Sequence, residues 1–221
     1  MCAISEIYHS TIGKKFVVGL TGLFLCTYLV IHLGGNLLLF KNDGGKAFDT
    51  YAEILPNILV IRIIEIVLFA GFILHIITTT ILWVKNKQTR PQKYQVNKPQ
   101  ENSTLFSRTM FLTGSIVFIF LVVHMNSFWV PSRFHPEENH SMYALVKEAF
   151  SNPVYSIFYV VAMVLLAFHL RHGFQSAFQT FGIKNKQYSP LVEWVGVIFW
   201  LLIPLGFASM PVYFLLNSGR M

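Results

Sequence analysis

Four histidines, His32, His75, His124 and His169, stand one to each of four long apolar runs, in a chain where only 12% of residues are charged. An imidazole inside such a run is costly unless it faces the interior of a bundle and finds a partner, so each is a candidate for function. Neutral imidazole is above all a metal ligand. At 1.5 Å of rise per residue, His32 lies about 17 residues beyond Lys15 and His124 about 16 beyond Arg108, roughly 25 Å from the face where their runs begin. His75 lies about 18 residues beyond Asn57 and His169 about 16 beyond Pro153, the same depth measured from the opposite face. Antiparallel runs therefore sort the four into two layers, His32 with His124 and His75 with His169. A pair of histidines on different helices is what grips haem iron from above and below, so two layers imply two haem b groups. Zinc fits less well, because it wants three or four clustered ligands and neither layer offers a cysteine or carboxylate at matching depth. Gly19, Gly22, Gly34, Gly35, Gly71, Gly114 and Ser115 leave room beside the histidines, although ordinary helix packing uses small residues too.

In "LLAFHLRHGFQS", His169 and His172 stand at i and i+3 on one face, so they cannot take opposite sides of one iron. His169, which matches His75 in depth, is the expected ligand. His172 and Arg171 fall at the inner headgroup level, where they suit a haem propionate or a partner protein. Arg62 and Glu65, also at i and i+3, open the second run. They form an internal ion pair, or else Arg62 meets an outer propionate while Glu65, Asp49 or Glu53 handles protons. His9, His135 and His140 read as solvated side chains.

The elements that must hold these groups follow from composition. With 54% hydrophobic residues and a mean hydropathy of +0.54, the chain reads as an all-α membrane protein: one transmembrane haem-binding domain over 1–221, a bundle of five helices. The spans fall near 16–40, 57–84, 109–130, 154–178 and 191–216, each about the 20 residues that cross a bilayer. They do not alternate as barrel strands would. Lys14 and Lys15 precede a run too long for a cleavable signal. Lysine and arginine crowd the N-terminal segment, the 85–108 connection and the turn after the fourth span, which places the N-terminus in the cytoplasm and the C-terminus outside. That asymmetry explains the net charge of +7 through anionic lipid headgroups, with no nucleic acid required. The polar linker "KNKQTRPQKYQVNKPQENS" suits a cytoplasmic loop that docks a partner. "AFDTYAEIL" and "SMYALVKEAF" read as short helical patches in the outer loops, which either lie along the membrane surface or merely close the loops. In the fifth span, Pro204 and Pro211 predict bends, and packing or contact with a second copy is its expected use.

Two cysteines, Cys2 and Cys26, cannot supply an iron–sulfur cluster, and no glycine-rich fingerprint for a flavin or nicotinamide is present. Two haems with nothing in the chain to load them imply a lipid-soluble quinone and a peripheral redox partner.

With "VIHLGGN", "FILHIITT", "FLVVHMNSFW" and above all "FHLRHGFQSAFQTFG", nearly the whole chain resembles the cytochrome b membrane-anchor subunit of succinate dehydrogenase and fumarate reductase, in its single-chain, five-helix, dihaem form. The resemblance implies a complex in a bacterial cytoplasmic membrane with a flavoprotein subunit and an iron–sulfur subunit on the cytoplasmic face, and allows a dimer of such complexes. Electrons pass between the iron–sulfur subunit, the inner haem, the outer haem and menaquinone, and an acidic residue on the outer side takes part in quinone protonation, with Asp49, Glu53 and Glu65 the candidates. Two other readings stand beside it: a cytochrome b of another quinone-linked oxidoreductase, such as a hydrogenase or formate dehydrogenase, and a haem-free transporter or scaffold, against which the chain shows no internal repeat.

Overall fold

The computed structural model describes residues 10–89, 103–134, 141–183 and 186–217. His9, His135 and His140, and most of the 85–103 linker, lie outside the described residues. Among those described, regular structure is entirely helical, and five spans are long and apolar enough to cross a membrane: Thr11–Phe40, Leu59–Gln88, Met110–Phe134, Pro153–Thr180 and Ser189–Asn217. This is the expected fold. The third span runs four residues beyond the expected end at 130.

The elements are α1 (Thr11–Asn36), α2 (Lys46–Ile54), α3 (Leu59–Gln88), α4 (Leu105–Arg108), α5 (Met110–His124), α6 (Val130–Phe134), α7 (Met142–Ser151), α8 (Pro153–Thr180), α9 (Ser189–Val197) and α10 (Ile203–Asn217). Local chemistry sets their ends. Ser10 accepts from Gly13 N at 2.8 Å to start α1, and Asn152 accepts from Val154 N and Tyr155 N, with Pro153 in the first turn, to start α8. Gly182, at φ +72, ends α8 by letting Ile183 N reach back to Phe178 O at 3.0 Å, the closing bond of a Schellman turn.

Two π-turns, Met125–Trp129 and Ile198–Leu202, join α5 to α6 and α9 to α10. Each ends two residues before a proline, Pro131 and Pro204. A proline has no N–H to return to the carbonyl four residues back and crowds that carbonyl, and a wider turn relieves both problems without ending the helix. This is why the third span outlasts its apolar run.

α8 is the central element. Ser156, Tyr159, Met163, Leu166, Leu170, Phe174 and Ala177 form its buried stripe, with the i, i+3, i+4, i+7 spacing of a core face, and it packs on α1, α5 and α10. α3 leans on α1, where Gly71 receives the Phe24 ring, and it buries only Thr78 and Leu82. Its apolar face, including Ile63, Ile66, Ile73 and Ile77, is exposed, as a lipid-facing surface should be. The second and third spans meet near their ends. Trp83 stacks on Phe111 at 3.9 Å at one, and Trp129 bonds Glu65 at the other.

Both expected short helices are present, α2 and α7, at the end of the bundle opposite Ser10, the far end. The end that carries Ser10, Gln88 and Thr180 is the basic end. Gly45, at φ +90 with the Tyr143 ring against it, opens α2, a turn and a close approach that only glycine combines. Asp49 ties α2 to α7. Its carboxylate accepts from Ser141 Oγ at 2.7 Å and Tyr143 N at 2.8 Å. Asp49→Ala removes two charge-assisted bonds and is expected to cost about 1.5–3 kcal/mol, read as a lowered thermal midpoint of the purified protein in detergent. An unchanged midpoint would mean that the tie carries no net stability.

Candidate functional site

The far-end layer is built by α1 and α5. The rings of His32 and His124 stand 5.8 Å apart between centroids, with planes at 86°. Tyr28, one turn before His32, stacks on it at 5.3 Å, and Phe207 closes in from α10 at 5.5 Å. Phe120 and Phe128 flank His124 at 5.7 and 5.4 Å. Tyr159 Oη lies 3.1 Å from His124 Nδ1 and 3.0 Å from the Tyr155 hydroxyl. Asn36 donates to the His32 carbonyl at 2.7 Å and lies 3.4 Å from its Nδ1.

The basic-end layer is built by α3 and α8. His75 faces α1, with Nδ1 3.0 Å from Thr21 Oγ1 and its ring 3.4 Å from where a Cβ on Gly22 would stand. His169 faces α5, its ring 3.1 Å from where a Cβ on Gly114 would stand. A side chain at Gly114 would press on the imidazole, and one at Gly22 would stand in contact with it. His75 and His169 lie within electrostatic reach of each other. His169 Nδ1 is buried with no hydrogen-bond partner, and so is Thr78 Oγ1, one turn beyond His75.

These features suit haem. A metal bonded to imidazole nitrogen at about 2 Å on each side needs the two rings roughly 6 Å apart, close to the His32–His124 spacing. Among the described residues no three or more histidine, cysteine, aspartate or glutamate side chains gather where they could hold a metal ion. The donors therefore come in pairs, which fits a cofactor that brings its own four equatorial nitrogens. Two buried polar atoms in the basic-end layer have no hydrogen-bond partner in the chain, where buried polar groups usually find one.

The other expected residues fall into place as follows. Arg62 pairs with Glu65 at 3.3 Å, both partly exposed at 27% and 25%, and Glu65 Oε1 accepts the Trp129 indole N–H at 2.6 Å. Glu65, Ile66, Phe69, Trp129 and Arg133 line an open cleft of about 320 Å³. Tyr28, stacked on His32, is within electrostatic reach of Glu65. Asp49 is committed to α7, and Glu53 is exposed on α2. Arg171 sits between two rings, 4.1 Å from the Phe106 centroid and 4.8 Å from that of Trp200. His172 is half-buried on α8. Thr21, Tyr28, Trp129 and Tyr159 were not legible as site residues, because hydroxyl and aromatic side chains are ordinary in apolar runs. Only "HMNSFW" hinted at Trp129, five residues beyond His124.

A family model described as succinate dehydrogenase/fumarate reductase transmembrane subunit matches residues 84–205, more than half of the chain, including His124, His169 and His172. No curated protein and no solved structure matches.

Proposed function

The chain belongs to the succinate dehydrogenase/fumarate reductase transmembrane-subunit family, and from that premise we propose that it is a dihaem membrane anchor that passes electrons between an iron–sulfur subunit and menaquinone. The observation that carries the reading is the sorting of four intramembrane histidines into two pairs, one of them with its rings 5.8 Å apart. His32 and His124 would hold one haem b, and His75 and His169 the other. Haem bound there supplies one-electron transfer across the bilayer.

The positive-inside rule puts the basic end in the cytoplasm, in a bacterial inner membrane. The iron–sulfur subunit, with the flavoprotein beyond it, would dock on that face beside the His75–His169 layer. Arg171 and His172 lie at this level and suit a propionate or the docked subunit. Arg62 is held by Glu65 and would meet a far-end propionate only by sharing that pair.

A quinone takes up two protons with its two electrons, so its site needs a group that holds a proton within reach of lipid. Of the three carboxylates, Glu65 is the one supported by geometry. It lies about 9 Å along α3 from Leu59, inside the slab, and faces an open cleft. Phe69 and Trp129, 5.2 Å apart, give that cleft an aromatic wall.

A reduced-minus-oxidised visible spectrum with a pyridine haemochrome count tests the assignment. The expected result is two b-type haems per chain. One haem would overturn the pairing of one layer, and none in carefully prepared complex would overturn the reading altogether.

A further inference from the structure

Imidazole binds a metal only through a nitrogen that carries no proton, and the partner of the other nitrogen decides which one that is. In two of the four histidines the structure supplies a buried hydroxyl as that partner. Thr21 Oγ1 donates its single proton along its own helix, to Val17 O at 2.8 Å, and Thr21 is only 8% exposed. With its proton kept on α1 it offers His75 Nδ1, 3.0 Å away, a lone pair. In that arrangement Nδ1 carries the proton and Nε2 is free to bind metal.

At His124 the partner is Tyr159 Oη, 3.1 Å from Nδ1, on a tyrosine 5% exposed. Tyr155 Oη donates to Tyr159 Oη at 3.0 Å. Hydroxyl protons rotate, so this row can also order the other way. With metal on Nε2 of His124, Nδ1 carries the proton and donates to Tyr159, which then donates to Tyr155.

We propose that Thr21 and Tyr159 are positioning residues that commit Nε2 of His75 and of His124 to iron and set the donor strength of each imidazole. The proposal rests on the haem reading given above. It carries a crossed arrangement. α1 supplies His32 to one layer and, eleven residues earlier, Thr21 to the other, while α8 supplies His169 to one layer and, ten residues earlier, Tyr159 to the other. Both offsets are close to three helical turns. An Nδ1–H that donates to oxygen makes the opposite nitrogen a stronger base. This favours the more highly charged ferric state and lowers the reduction potential.

The test is spectroelectrochemical titration of the two haems in the intact complex, the basic-end haem being identified as the one lost in His75→Ala. Tyr159→Phe is expected to raise the potential of the far-end haem by about a tenfold change in the ferric-to-ferrous ratio, or ~59 mV for one electron, with the other haem unmoved. Thr21→Val should do the converse. Tyr155→Phe, which keeps the His124–Tyr159 bond, should move the far-end potential by less. A selective fall in occupancy of the targeted haem also supports the proposal, since such outer partners are worth about 10–100-fold in metal affinity. Full occupancy with both potentials unmoved in both variants would overturn it, as would a shift of both haems together in each variant. A wild-type complex without haem would instead sink the haem reading, before any variant is made.

Discussion

His75→Ala is expected to leave the complex with one b-type haem per chain, the far-end one, and to cut succinate-driven quinone reduction by more than about a hundredfold. The size follows from what is lost. Removing a mere outer partner of a metal ligand costs about 10–100-fold in affinity or activity, and here the ligand itself is gone. His75 is a cleaner target than His169, because α3 carries no second histidine that could move in, whereas His172 stands one turn from His169 on α8. Structural damage should be small, since Thr21 keeps its bond to Val17 O and α3 buries little else. The far-end haem reports directly on folding. His169→Ala should behave like His75→Ala, and His172→Ala should keep both haems. If His172→Ala were the variant that lost the basic-end haem, the fourth ligand would be reassigned. If His75→Ala kept both, the layer assignment would be wrong.

The five spans are legible in the sequence, for a physical reason. In a membrane the backbone crosses only as a helix or in a closed barrel, so long apolar runs that do not alternate give the helices and residue count gives depth. Depth alone separated His32 and His124 from His75 and His169. What residue count cannot give is rotation about each helix axis, and every missed residue depends on it. Tyr159 matters because α8 turns it toward His124, and Thr21 because α1 turns it toward His75. Bends were expected at Pro204 and Pro211, where the backbone shows a π-turn before Pro204 and a helix that runs through Pro211.

The carboxylates show the same limit. Asp49, Glu53 and Glu65 were equivalent in the sequence, and they separate only by their partners. Both oxygens of Asp49 are engaged by α7, which assigns it to the fastening of the surface helices, and Glu53 faces outward from α2.

Glu65→Gln is therefore expected to slow quinone reduction by about 10²–10⁴-fold, the usual worth of a positioned acid–base group, while both haems remain present and reducible by succinate. Glutamine is the informative change. Its amide oxygen can still accept the Trp129 indole N–H that Glu65 holds at 2.6 Å, so the aromatic wall of the cleft stays in place. What goes is the ability to take up and release a proton, together with the charge that faces Arg62. Arg62→Gln separates those two losses, because it removes the ion pair but leaves the carboxylate, and it should slow the reaction far less. Asp49→Asn, which keeps an acceptor oxygen for Tyr143 N, should leave the rate near normal. Haem reduction that is fast in Glu65→Gln, followed by slow reoxidation on adding quinone, would locate the defect at proton delivery. A normal reoxidation rate would remove Glu65 from the quinone site and reduce its role to pinning α3 against Trp129.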